Sequence, residues 1–256
     1  MDLVIILHGI FSSIFVIVSF AIGFTILSKY FKSKNRLLIL VGIAWIVLSF
    51  PWLPDSISFL MNLLSNEQQS LSKELYFIIG NAFIPIALIT WIIAYTDMVN
   101  KKKQNLAVGL ILIFSIIFEV IFFYLFFTDI NLLGEIDPLI PFSADFGVFL
   151  IVFYLATILI ILPTGLYFAQ KSIKLENKEL RLKGKLLRAA FIIFTIATIL
   201  EKTARSIMIG VVFQDPSDPL LLIMLAVVRV LLMVSAFAFY GGFLLPRWMK
   251  ELFLKA

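Results

Sequence analysis

Seven stretches of the chain are apolar for about 20 residues or more, the length a helix needs to cross the hydrocarbon of a bilayer. They run over 3–28, 37–63, 75–98, 105–128, 147–170, 189–213 and 220–245. Polar or charged segments separate them, so the pattern predicts seven transmembrane helices. The second span is irregular. Its FPWLPDS segment, 50–56, carries Pro51 and Pro54, which remove backbone donors and kink or end a helix. A helix to about Pro51 followed by a short further piece is the expectation there. The first span has no basic leader and no small-residue cleavage site, so it reads as a retained helix and not as a signal peptide.

The basic residues then fix an orientation. Lys29, Lys32, Lys34 and Arg36 follow the first span, Lys101, Lys102 and Lys103 the third, and Lys171 to Arg188 the fifth; Arg247, Lys250 and Lys255 follow the seventh. If seven helices alternate, these seventeen lie on one side and Lys73 alone lies on the other. One helix more or fewer would scramble that split. The positive-inside rule places the basic side in the cytoplasm. The expected fold class is an all-α integral membrane protein: a seven-helix bundle, N-terminus outside, C-terminus cytoplasmic, forming a single transmembrane domain over 1–256 with no soluble domain. The cell membrane is the expected location. The outer segment 129–146 mixes acids, prolines and apolar residues and is expected to fold as a lid. The inner segment 171–188 is rich in helix formers and is expected to extend the fifth and sixth helices.

Composition agrees with a lipid solvent. Hydrophobic residues make up 62% of the chain and charged residues 14%, too much apolar surface for one soluble core to hide. The pI of about 9.3 would suggest nucleic acid in a soluble protein. Here the bases sit in loops between spans, so no nucleic acid is expected and the bilayer is the partner. Cysteine is absent and His8 is the one histidine, which leaves no material for thiol chemistry, disulfides or most zinc sites. No metal and no cofactor are expected. The seventh span has Arg229 and no lysine, so it offers no Schiff-base anchor for a retinal-type chromophore. Ser206 four residues after Lys202 is a chance spacing beside so many charges, and enzymatic chemistry is not expected.

The ionisable residues within spans carry the functional reading. Charge at mid-bilayer costs about 2.5–3.5 kcal/mol on insertion scales, so such groups face the interior and mark sites. They are Glu119 in the fourth span, Glu201, Lys202 and Arg205 in the sixth, and Arg229 in the seventh. On a helical wheel Thr195, Thr198, Glu201, Lys202, Arg205 and Ser206 share a stripe roughly 140° wide. Counted along their spans, Glu119, Arg205 and Arg229 lie at one depth with Glu201 one turn away. A buried network of Glu119, Glu201, Arg205 and Arg229, with Lys202 at its edge and net positive charge, is therefore predicted. His8, Asn81 and Asp55 are expected to line its outer mouth. The leading expectation is a receptor or sensor that binds a small anionic ligand there and uses the basic loop Lys171 to Arg188 to meet a cytoplasmic partner. A secondary transporter using the same network as a coupling gate is the alternative, and an accessory subunit of a membrane complex a third.

Overall fold

A computed structural model describes residues 3–65, 70–137, 142–201 and 219–254. Among these, helices form nearly everything: α1 Leu3–Ser33, α2 Arg36–Leu48, α3 Leu53–Leu64, α4 Lys73–Asn81, α5 Ile84–Val99, α6 Gln104–Thr128, α7 Val148–Ile173, α8 Lys178–Ile199, α9 Pro219–Leu244 and α10 Arg247–Leu254. Among the described residues six spans are long and apolar enough to cross a bilayer: Ile6–Ser33, Arg36–Leu64, Lys73–Val99, Lys101–Thr128, Val148–Ile173 and Ile223–Leu244. That suits a multi-pass membrane protein. The predicted span 189–213 falls partly outside the described residues. Its described portion is the second half of α8, which begins eleven residues earlier than the apolar run because the 178–188 segment is helical, as its composition suggests.

Two spans are broken by proline, and the breaks position polar groups. A short 3-10 turn, Phe50–Trp52, separates α2 from α3, with Pro51 and Pro54 at the first positions of the two new turns. Proline is tolerated there because the first N–H groups of a helix have no internal partner. Asp55 follows in the first turn of α3. The third span breaks likewise between α4 and α5 at Ala82–Phe83, where Pro85 cannot donate to the carbonyl of Asn81. The sequence pattern reads 75–98 as one continuous helix, so this break is a correction.

The helices close on aromatic contacts. Trp45 of α2 stacks on Phe239 of α9 with centroids 4.2 Å apart, and Trp91 of α5 meets Phe191 of α8 at 5.1 Å. Helices α1 and α2 pack closely at Gly23 and Gly42; a Cβ on Gly42 would stand 2.9 Å from the carbonyl oxygen of Gly23. Small residues at such a crossing let backbones touch, the usual route to helix association in lipid. Helix α6 is the outlier. It lies on α5 and reaches α7 through Phe118 and Phe153, and only 17% of its most apolar window is buried, so most of its surface is left to face lipid.

The predicted lid takes a specific form. Strands β1 Gly134–Ile136 and β2 Ala144–Phe146 pair antiparallel, Gly134 opposite Phe146 and Ile136 opposite Ala144. Gly134 has φ +144°, a conformation closed to side chains, and a Cβ there would meet the carbonyl of Asp145. Phe142 and Phe146 plug the end of the bundle against Phe59 and Phe77. Alternating polar and apolar residues in so short a loop did not announce strands.

The Gly23–Gly42 crossing makes a direct test. Gly42→Ala is expected to cost about 1–3 kcal/mol through forced separation of two backbones. Gly109→Ala, on open space in α6, should be neutral or slightly stabilising. Thermal unfolding in detergent reads both; equal losses would show that the α1–α2 crossing is not tightly packed.

Candidate functional site: a buried ion cluster

The centre of the bundle holds six polar side chains that solvent does not reach. His8, Trp52, Asp55, Tyr76, Glu201 and Arg229 are each at most 2% exposed. They come from α1, the 50–52 turn, α3, α4, the residues just past α8, and α9. Arg229 is the hub. Its Nη1 donates to Glu201 Oε2 at 3.0 Å, and its Nη2 lies 2.8 Å from Glu201 Oε1 as an ion-pair contact off the hydrogen-bond axis. The same Nη2 stands 3.6 Å from Asp55 Oδ2. The guanidinium fork meets a carboxylate at two points, the geometry arginine provides and lysine does not.

Each carboxylate has further partners. The indole Nε1 of Trp52 donates to Glu201 Oε2 at 2.8 Å. Phe15 packs its ring edge on Trp52 with centroids 5.0 Å apart and holds the indole in that orientation. Asp55 Oδ2 lies 3.2 Å from His8 Nε2, and Asp55 Oδ1 accepts from the Tyr76 hydroxyl. Its place in the first turn of α3 adds the favourable end of the helix dipole. Removing one member of such a set leaves an uncompensated buried charge, and that is what makes a cluster of this kind hard to break.

Further buried polar atoms have no partner among the described residues, among them the hydroxyls of Ser12 and Ser19 on α1, of Thr157 on α7 and of Thr198 on α8, and Nε of Arg229. The threonines depart from the local habit. Thr25, Thr90, Thr96, Thr128 and Thr164 all return their hydroxyls to a carbonyl one turn back, whereas Thr157 and Thr198 do not. These two line a cavity of about 30 Å³ whose wall includes Trp52 and Tyr154. That is room for one or two waters, and buried polar atoms without protein partners are the usual mark of such waters.

The sequence-predicted residues separate into three groups. Glu201 and Arg229 meet as expected, and His8 joins them through Asp55, which belongs to the cluster itself and not to its mouth. Asn81 is buried but lies in a second pair. It donates Nδ2 to the carbonyl of Phe77 at 2.9 Å and accepts from the Tyr154 hydroxyl at 3.0 Å. Among the described residues Glu119 has no contact with the cluster. Its helix lies at the periphery, and among the described residues its carboxylate has one oxygen buried with no hydrogen bond. Equal depth on two helices gives no contact unless the helices are neighbours. Lys202 and Arg205 lie outside the described residues. Among the described members of the cluster, Asp55 and Glu201 both face Arg229.

Trp52 and Tyr76 were not singled out from sequence. The signal available was the PWLPDS segment, where an acid directly follows a proline that starts a helix. Among the described residues no group of histidine and acid side chains is arranged to hold a metal. Comparison of the chain with protein families, curated proteins and solved structures finds no match.

Arg229→Met is expected to cost about 3–5 kcal/mol, because two carboxylates lose their shared cation. Adding Asp55→Asn and Glu201→Gln should recover some of that loss. A triple variant as unstable as Arg229→Met, by thermal or denaturant unfolding, would show that charge pairing is not what holds the cluster. Trp52→Phe, which removes one donor to Glu201, should cost about 1–3 kcal/mol.

Proposed function

We propose that the chain is a seven-helix protein of the cell membrane, N-terminus outside and basic loops in the cytoplasm, and that it is a secondary transporter whose buried cluster is the coupling gate. The observation that carries this reading is a buried imidazole and a buried guanidinium that meet at one carboxylate. His8 Nε2 lies 3.2 Å from Asp55, and Arg229, which pairs with Glu201, reaches the same Asp55 oxygen at 3.6 Å. Imidazole is the side chain that changes charge near neutral pH. A proton at His8 strengthens its hold on Asp55 and leaves Arg229 to Glu201, so protonation shifts the tie between the α1–α3 side and the α8–α9 side. Ionisable groups inside membrane proteins commonly form such relays. The unpartnered hydroxyls of Ser12, Thr157 and Thr198 support hydration beside the gate.

The second reading is a receptor for a small anionic ligand, with Lys171 to Arg188 as the surface that meets a cytoplasmic partner. The open Nε donor of Arg229 favours it. The cavity beside the cluster is water-sized, so a ligand would first have to separate the helices.

The chain's lack of cysteine permits a clean test. Ser12→Cys and Thr157→Cys are placed separately in the full chain in oriented vesicles and exposed to a membrane-impermeant maleimide at pH 5 and pH 8. A gate predicts labelling from one side at one pH and from the opposite side at the other. Labelling from the outside alone supports the receptor. No labelling at either pH marks the cluster as structural and defeats both readings.

A further inference from the structure

At the basic end of the bundle a cavity of about 450 Å³ opens between the end of α1, the start of α2, α8 and the end of α9. Its wall carries Lys29, Lys32 and Lys183, with Asn35 and Tyr240 between them. Lys29 and Lys32 are exposed and have no ion-pair partner among the described residues. Lys183 is half-buried and donates to the carbonyl of Phe243 at 3.0 Å, a helix-end acceptor. Burial and the neighbouring Lys250 push the Lys183 ammonium below the ordinary lysine range, while Glu179 pulls the other way. Three lysines thus line the pocket, and no carboxylate is among its lining residues. The N-terminus of α2, capped by Asn35, adds its dipole to the same side.

A second observation places this pocket at the height of a membrane surface. Pro246 lines it, and α10 begins at the next residue. Met249 is buried, and Lys250 pairs with Glu179 at 2.7 Å, so α10 is fastened to α8. Trp248, Leu252 and Phe253 remain exposed on this short helix. A helix anchored through Met249 whose apolar face also carries the exposed Trp248, Leu252 and Phe253 on either side of that contact, with Arg247 and Lys250 on the polar face, has the build of an interfacial helix whose apolar side chains enter the headgroup and acyl boundary. The lysine pocket beside it thus lies where phosphates of the bilayer lie.

We propose that this pocket binds the headgroup of an anionic phospholipid, its phosphate held by Lys29, Lys32 and Lys183. The occupant is a membrane lipid and not a free anion, because the interfacial helix α10 borders the pocket and the exposed Phe31 of α1 stands beside Lys32. Basic pockets between helices at the cytoplasmic face hold acidic headgroups through the same chemistry.

The full chain in a neutral detergent is mixed with dioleoylphosphatidylglycerol or dioleoylphosphatidylcholine and bound lipid is counted by native mass spectrometry. Retention of the anionic lipid is expected to exceed that of the zwitterionic one about tenfold. Lys29→Gln/Lys32→Gln should abolish the preference, and Lys101→Gln/Lys102→Gln, basic but outside the pocket, should keep it. Both variants should unfold at the wild-type temperature without lipid. Phosphatidylglycerol should raise that temperature for the wild type and leave the Lys29/Lys32 variant unmoved. Equal retention of the two lipids overturns the proposal, as does equal loss of preference in the two double variants. Displacement of the lipid by millimolar inorganic phosphate overturns the headgroup assignment in favour of a free anion.

Discussion

A guanidinium shared between two carboxylates, sealed from solvent among apolar helices, is the constraint around which this molecule is arranged. On a solvent-exposed surface such a pair would contribute little. Buried, each charged partner is costly alone, so the chain must deliver all of them to one point. Arg229 arrives on α9, Glu201 just past α8, and Asp55 on the first turn of α3. His8, Tyr76 and Trp52 then complete the coordination from α1, α4 and the turn before α3. Slippage of any of these elements along its axis by a turn would strip a charge of its partner. The cluster thus fixes helix height in a solvent where greasy contact alone discriminates poorly between registers.

The proline breaks make that convergence possible. A continuous second span would carry Trp52 and Asp55 around an unbroken helix. The turn at 50–52 instead opens a new N-terminus, with Asp55 at its favoured end and Trp52 aimed at Glu201. The third span repeats the device at Asn81, whose side chain returns to the carbonyl of Phe77 while accepting from Tyr154. Polar groups released by broken backbone are satisfied by buried side chains, the condition under which irregular helices persist in membranes. Of the buried hydroxyls without a partner among the described residues, those of Thr157 and Thr198 share a small cavity with Trp52.

The two ends of the bundle are built for different neighbours. One is closed by a hairpin that drives Phe142 and Phe146 into the aromatic core and leaves Lys73 bonded to Asn131 at the rim. The other is open, lysine-rich and bordered by α10. A sealed acidic end and an open basic end give the interior a direction, so a change at the central cluster would be felt differently on each side.

Six apolar spans and the break at 50–52 were legible in the residues, because hydrocarbon demands about 20 apolar positions and proline acts locally. The spans at 105–128 and 147–170 match α6 and α7 closely, and the inner segment is helical as its helix formers suggest. The partnership of Glu201 with Arg229 was legible too, since both must avoid lipid. What the residues could not fix was which helices are neighbours. Glu119 shares the depth of Arg229 yet sits on the outlying α6, while Asp55, read as a residue of the rim, reaches the guanidinium. Depth follows from counting along one chain segment, but contact between segments depends on packing angles and side-chain interdigitation that arise only when all the helices assemble. The tertiary structure alone therefore chose Asp55 over Glu119 as the second acid of the cluster.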